Sequence, residues 1–378
     1  MARAPLLCIL ALTVAACATS SPRRAALTEA ELLSGAAIAV APAPAPISRE
    51  DAFFLDEEMR AFVAAQIGDS RAQEVILHKL LAGMKDIGLL SLDYTPSTTR
   101  TARATFHERR GNCLSFTMLF VALAREAGLQ TTFQIVDVPP TWVNESDLVV
   151  IGNHINAWVD LPGTDYIVDF NFMDYSSQHS RRDVTDGHAL ALFYNNLGAE
   201  ALIRKEYDLS FRYFRQALAT EPRVAGAWTN LGLLYSRLGR YEHAEAAYLQ
   251  ALAADSRDRT ALTNLASLHT ALGNQELAEA YRERIRGYQQ RNPYYHYAIA
   301  RDAFGQRRFE DALAALKRAV RLKRDDPEFY YLQGLVHLEL GQRPSAATSF
   351  IRARDHAGAG ETRDEYDARI RALAQESL

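Results

Sequence analysis

Cysteine is scarce in this chain. Its 378 residues hold three, Cys8, Cys17 and Cys113, too few for a disulfide-stapled scaffold. Long hydrophobic runs are missing as well. The longest apolar stretch that could enter a folded body, 114–124, is too short to span a bilayer and reads as buried. An excess of one charge is also absent. With 42 Lys and Arg against 46 Asp and Glu, the formal charge is −4, which gives no reason to expect binding to nucleic acid or acidic lipid. No glycine-rich loop suited to phosphate is present. No cluster of His, Cys and carboxylates has zinc spacing, so neither a metal nor a nucleotide cofactor is implied. What remains is ordinary globular composition, 48% hydrophobic and 23% charged. The chain is long enough for two or three domains, each with its own core.

The first residues read as an address. Arg3 supplies a short positive segment, and 6–14 is apolar with small residues behind it. The run closes on Val14-Ala15-Ala16-Cys17, which resembles the lipobox of bacterial lipoprotein signal peptides. That resemblance implies removal of 1–16 and lipidation of Cys17. Two or more acyl chains suffice for stable anchoring, since each buried CH₂ contributes roughly 0.8 kcal/mol. Residue 18 is Ala, not Asp, and by the sorting pattern of such proteins this implies the outer membrane. The competing reading is an ordinary secretory leader with an incidental cysteine.

Behind Cys17, residues 17–47 look like a flexible tether. Ala, Ser and Pro dominate, and Ala41-Pro42-Ala43-Pro44-Ala45-Pro46 favours an extended conformation. A short helix over 28–34 is compatible with this but not required. Ordered structure is expected from Ser48, a helix cap before Arg49-Glu50-Asp51.

If Cys8 leaves with the leader and Cys17 carries lipid, Cys113 is the one thiol of the mature chain. In an oxidising envelope compartment such a thiol is either buried and inert or used for chemistry. It follows the polar, turn-prone Arg109-Arg110-Gly111-Asn112 and opens a segment that is apolar nearly all round before Gly128. The pattern predicts a buried central helix with Cys113 in its first turn, where unsatisfied N–H groups and the helix dipole stabilise a thiolate. A small buried hydrophobe is the alternative. Farther on, 131–138 alternates as a strand with Phe133, Ile135 and Asp137 on one side. After Pro139-Pro140 come 148–151, then the strand-like 153–160, a turn at Pro162-Gly163 and a returning strand over 166–170. If directly opposed residues have an odd sum, His154 and Asp169 share a face. A tight turn sets them diagonally apart, so a shift or bulge is expected to bring them together.

These residues resemble the transglutaminase-like superfamily, of papain-type fold, over roughly 73–175. The resemblance is carried by Arg110-Gly111-Asn112-Cys113 with its apolar helix, by Asn153-His154 leading a Trp-containing strand, and by Val168-Asp169 ending the next. His154 lies 41 residues after Cys113 and Asp169 lies 15 after His154, spacings that suit the family. It implies Cys113 as nucleophile, His154 as general base and Asp169 as the residue fixing the imidazole tautomer. The segment 94–106 resembles the family's approach to the nucleophile. Trp158 sits four residues after His154, where many relatives place an aromatic two after it. Asn156 and Asn171 therefore stay open as third members. His107, His179 and His188 lack the strand context.

From residue 191 onward the chain repeats. Counting from there, the eighth position is Gly198, Gly232, Ala266, Ala300 and Gly334, and the twentieth is Ser210, Ala244, Ala278, Ala312 and Ala346. Small residues at both sites permit two helices to cross closely. Tyr194, Trp228, Leu262, His296 and Tyr330 fill the fourth position; Phe214, Tyr248 and Phe350 fill the twenty-fourth. Trp228-x-x-Leu231-Gly232-x-x-Tyr235 with Ala244 and Tyr248 resembles the tetratricopeptide pattern, over 191–360 in five units. Arg282 and Ala303 mark the third and fourth units as degenerate. Residues 361–378 read as a cap helix, with Tyr366, Ile370 and Leu373 on one face. The family resemblance implies a groove faced by Asn195, Thr229, Leu233, Arg237, Thr263, Ser267, Tyr294, Tyr297, Arg301, Tyr331 and Leu335, the tyrosines alternatively packing between units. The set lacks a Lys/Arg cluster, so it suits an extended peptide or a protein surface better than a carboxylate clamp or nucleic acid.

The expected organisation is a leader (1–16), a tether (17–47), an α+β transglutaminase-like domain (48–190), an all-α repeat solenoid (191–360) and a cap (361–378). Three functions compete on the sequence: an envelope thiol enzyme acting on amide bonds, a scaffold without turnover, and acyl transfer from a small donor. In each the repeats hold a protein or peptide partner, and the lipid holds the membrane.

Overall fold

The computed structural model describes residues 27–41, 43–89, 93–94, 98–136, 154–170, 181–357 and 361–375. The leader, Cys8, Cys17, Asp137, Pro139-Pro140, 148–151, Asn153, Asn171 and His179 lie outside them.

Helices α1 (Glu29–Leu33), α2 (Arg49–Phe53), α3 (Glu57–Ile67) and α4 (Gln73–Asp86) lead into a short parallel bridge between β1 (Asp93–Tyr94) and β2 (Arg110–Gly111), with α5 (Ala102–Glu108) between them. Helix α6 (Cys113–Glu126) is buried throughout 114–124. Asn112 caps it by accepting from the Ser115 N–H at 3.0 Å. Gly128, at φ +81°, ends it, and the Leu129 N–H returns to the Ala124 carbonyl.

The apolar sides of β3 (Gln130–Val136), β4 (His154–Leu161), β5 (Thr164–Val168) and β6 (Arg181–Val184) share one core with α6. The strands form one antiparallel sheet in the order β5-β4-β3-β6. The β4–β5 turn is Pro162-Gly163, where Gly163 takes the positive φ of +89° that a proline-led two-residue turn demands. Leu161 faces Thr164 and Ala157 faces Val168 without interruption.

Helix α7 (Asp186–Ile203) starts the array. Pairs follow at α8 (Tyr207–Thr220), α9 (Ala225–Arg237), α10 (Tyr241–Ala254), α11 (Arg259–Ala271), α12 (Gln275–Arg291), α13 (Pro293–Gly305), α14 (Phe309–Leu322), α15 (Pro327–Glu339) and α16 (Arg343–His356), then α17 (Glu361–Gln375). Helices α9, α11, α13 and α15 begin at 225, 259, 293 and 327, so the 34-residue register runs without insertion. Its cause is steric. A Cβ built on Gly198, Gly232 or Gly334 would lie 2.5, 2.6 or 2.5 Å from the ring of Phe214, Tyr248 or Phe350 respectively. The large side chain of the second helix therefore needs hydrogen at the eighth position of the first. The weak units show their sequence. Arg282, standing where a ring would plug the pair, reaches out to the Thr270 hydroxyl instead. Helix α12 runs 17 residues against 14 in α8, α10, α14 and α16, and Ala278 is its one buried residue.

The expected tether needs correction over its described part. Residues 27–41 and 43–47 do not stand free but pack against the array. Thr28 and Glu31 form a capping box for α1, and Leu32 is fully buried. The Tyr235 hydroxyl donates to the Leu32 carbonyl, Arg240 Nε to Ala37 O at 2.7 Å and Arg212 Nε to Pro44 O at 2.9 Å. The alternating prolines favour extension and remove N–H donors, and the array's arginines reach the carbonyls of Ala37 and Pro44. Ser48 caps α2 in a capping box with Asp51, as expected.

Candidate functional site

Cys113 is the first residue of α6, half-buried and without a disulfide. At that position its N–H has no acceptor within the helix. His154 opens β4 with its side chain 4% exposed, and Asp169 follows β5. Continuing the β4–β5 register by one pair sets Asp169 opposite Asn156, not opposite His154. The two are diagonal neighbours, yet His154 Nε2 lies 2.8 Å from Asp169 Oδ2. The expected shift or bulge is therefore not needed, because a ring side chain spans the diagonal distance across an antiparallel pair. Asn156, the rival third member, donates from Nδ2 to the same Asp169 oxygen at 3.2 Å and so steadies the carboxylate.

Burial by itself would push the His154 imidazolium to lose its proton. Hydrogen bonds to Asp169 and to Cys113, with the charges of both, outweigh this and raise its pKa to about 9. The ring is therefore cationic at neutral pH. With Nε2 committed to Asp169, Nδ1 is the nitrogen that can meet the thiol. The structure thus brings together Cys113, His154 and Asp169. Of the other histidines, His107 pairs with Asp56 at 2.6 Å, away from this cluster. His188 lies in the first turn of α7, its pKa lowered by burial and by Arg182. Among the described residues no group of three His, Cys, Asp or Glu could hold a metal.

The predicted groove fares differently. Asn195 is buried and accepts from Asn230 Nδ2 at 2.9 Å; Thr229 is buried and donates to Asp258 at 2.9 Å; Leu233 is buried. Tyr294 donates to Asp326 at 3.0 Å, Tyr297 packs on Phe329 with ring centroids 5.1 Å apart, and Tyr331 stacks on Tyr366 at 5.0 Å. The tyrosines thus make contacts of the kind their packing alternative expects, and Asn195, Thr229 and Leu233 are buried as well. Leu335 is half-buried against the core of the last units. Arg301 is exposed, while Arg237 is exposed but donates to Leu202 O at 3.2 Å, and Thr263 and Ser267 are half-buried.

Sequence reasoning missed a polar cluster behind Cys113. Thr99, Asn112 and Ser115 are all buried. Asn112 Nδ2 donates to Thr99 Oγ1 at 2.8 Å, and the Arg100 N–H donates to Ser115 Oγ at 2.8 Å. From the array, Glu200 Oε1 accepts the Thr99 N–H at 2.7 Å. The asparagine before the cysteine was the one available signal.

Comparison with known proteins agrees with the two-part fold. The model of the transglutaminase-like superfamily matches residues 68–195, and two tetratricopeptide repeat models match 225–258 and 297–361. Solved structures that resemble the chain include YrrB, described as a TPR protein with an unusual peptide-binding site. It is 17% identical over 44% of this chain and 86% of that one, with a TM-score of 0.25. MamA from Desulfovibrio magneticus RS-1 is 17% identical over 44% and 94%, at 0.25. Pseudomonas aeruginosa PilF is 17% identical over 50% and 94%, at 0.27. Likenesses this distant say nothing of function. No curated protein matches the chain.

Proposed function

We propose that this chain, a transglutaminase-like domain joined to tetratricopeptide repeats, is a lipid-anchored envelope protein that cleaves or transfers amide bonds of peptides or proteins. The observation that carries the reading is the meeting of an Asp169-paired His154 with the thiol at the start of α6. An imidazolium beside a thiol favours the thiolate, the attacking form. Attack on an amide carbonyl makes the S–C bond, and the His154 proton passes to the nitrogen as the C–N bond breaks. The thioester left on Cys113 then yields to water (hydrolysis) or to an amine (transfer), with His154 taking up the proton of the attacking group. The Cys113 N–H at the helix start is one donor for the oxyanion. Asp169 holds the ring in place, and Asn156 holds Asp169.

Repeats of this kind bind protein or peptide partners, and here they recruit the substrate. The anchor rests on the lipobox-like Val14-Ala15-Ala16-Cys17, and Ala18 favours the outer membrane, facing the periplasm. Among the described residues no helix is long and apolar enough to cross a membrane.

Iodoacetamide labelling across pH tests the site. Cys113 is expected to react well below pH 8, and His154→Ala to slow it by about tenfold or more. A parent protein labelling with the rate and pH profile of a free thiol would sink the catalytic reading and leave a binding scaffold. Capture with a Cys113→Ala form in membranes then identifies what is held.

A further inference from the structure

The array and the nucleophile are not merely adjacent. Cys113 depends for its place on Asn112, whose side chain caps α6 through the Ser115 N–H and also accepts from the Ser115 hydroxyl at 2.9 Å. Asn112 depends in turn on residues 98–100. Its N–H donates to the Thr98 carbonyl at 3.0 Å and its Nδ2 to the Thr99 hydroxyl at 2.8 Å, while Arg100 donates its N–H to Ser115 Oγ. The segment 98–100 is thereby stitched to the first turn of the nucleophile helix along its whole length. On its other side the partner of its main chain comes from α7, where Glu200 Oε1 accepts the Thr99 N–H at 2.7 Å.

We propose that Glu200, which belongs to the helix pair opening the repeat array, is a positioning residue for Cys113, acting through Thr99 and Asn112. The inference rests on the reading of Cys113 as a nucleophile. Its basis is the unbroken series of hydrogen bonds from Glu200 through buried Thr99 and Asn112 to the first turn of α6. Glu200 sits one turn before the end of α7 and on the same helix as Gly198, which packs against Phe214 of α8. A shift of the first helix pair therefore carries the carboxylate with it. Burial pushes the Glu200 carboxyl above its ordinary range, and hydrogen bonds from Thr99 oppose this. At 2.7 Å the Thr99 N–H to Glu200 Oε1 bond is at the short end for its kind, so the tie is a stiff one. The site is then completed by the array, and a partner seated on the first units can alter Cys113 without touching it.

The test uses the full chain and measures the rate of Cys113 carboxamidomethylation against pH, with thermal unfolding in parallel. Glu200→Ala is expected to slow labelling at pH 6.5 by about tenfold, because small misplacements of a reacting group cost rate steeply, and to move the pH profile towards that of a free thiol. Glu200→Gln keeps the shape and one acceptor, so it is expected to restore all but about threefold. Glu206→Gln, altering an exposed carboxylate that meets Arg204 and not 98–100, is the control and is expected to leave the profile unchanged. A folded Glu200→Ala protein with the parent profile overturns the proposal while the nucleophile reading stands. A parent profile that is already that of a free thiol overturns both. If Glu200→Ala does not fold, the Glu200→Gln rate decides: a rate equal to the parent's overturns the proposal, and one about threefold slower supports it.

Discussion

The front and the back of this molecule both carry the 34-residue unit and are held together differently. From Leu32 to Leu268 a single hydrophobic core runs through α1, α6, the sheet and the helices α7 to α11. From Ala300 to Tyr366 the buried residues fall into three smaller clusters. The break lies between α12 and α13, where α12 buries Ala278 alone and Asn292-Pro293 starts the next helix. A hydrogen bond from the His296 ring to the Gln290 carbonyl crosses it. The lesson is that a regular repeat does not make a uniform array. In the front the repeats continue the core of the thiol domain, and in the back they extend it.

Substitution at the eighth position puts the largest strain on that difference. Gly198→Val forces a Cβ into the Phe214 ring, which is expected to cost about 3 kcal/mol and to slow Cys113 labelling, since α7 also carries Glu200. Gly334→Val makes the same clash with Phe350. It is expected to destabilise the last units by a similar amount while labelling is unchanged, as followed by hydrogen exchange and alkylation together. Equal loss of labelling in both would show that front and back are one cooperative body.

An alkaline ramp separates the halves next. The raised His154 pKa contributes stability that is whole below about pH 6.5 and lost as the pH rises through about 9. The amount is on the order of 3 kcal/mol, and it should vanish from the profile of His154→Gln. In the back, burial would lower the Lys323 pKa, but hydrogen bonds to Tyr294 and Asp326 outweigh it and raise it above its usual 10.5. The support it gives is kept until still higher pH. Chemical denaturation monitored at successive pH values is expected to show the front softening first. The smallest effect belongs to Tyr235→Phe. Losing the bond to Leu32 O is expected to cost about 1 kcal/mol and to speed protease cleavage within 27–47, with units 4 and 5 untouched.

Much of this was legible in the residues. Gly198 with Phe214, Gly232 with Tyr248 and Gly334 with Phe350 announce their contacts because each pair needs one large and one absent side chain. Helix α6 was legible because a fully buried helix shows apolar residues on every side. The diagonal meeting of His154 and Asp169 was half legible: parity gives the face, but the reach of a ring is not a property of register. Part of the expected groove set packs instead, because the first helix of each unit also contacts the next unit. Asn195, Thr229 and Tyr297 have the same spacing whichever way they turn. Glu200 gave no signal, since its bond goes to a main-chain N–H about a hundred positions away, and a backbone donor leaves no mark in sequence. The docking of 27–47 was hidden for the same reason, its carbonyls being what the array's side chains hold.

That docking also fixes an order of events. The Leu32–Tyr235 and Ala37–Arg240 contacts each join residues 203 positions apart. At a synthesis rate of about 5–20 residues per second, roughly 10–40 s separate the emergence of the two partners. The segment must wait undocked until α9 and α10 exist, and closing so long a loop is slow. Its seating therefore reports that the thiol domain and the first two units have been made and folded, which makes its protection from proteases a clock for the maturation of the front half.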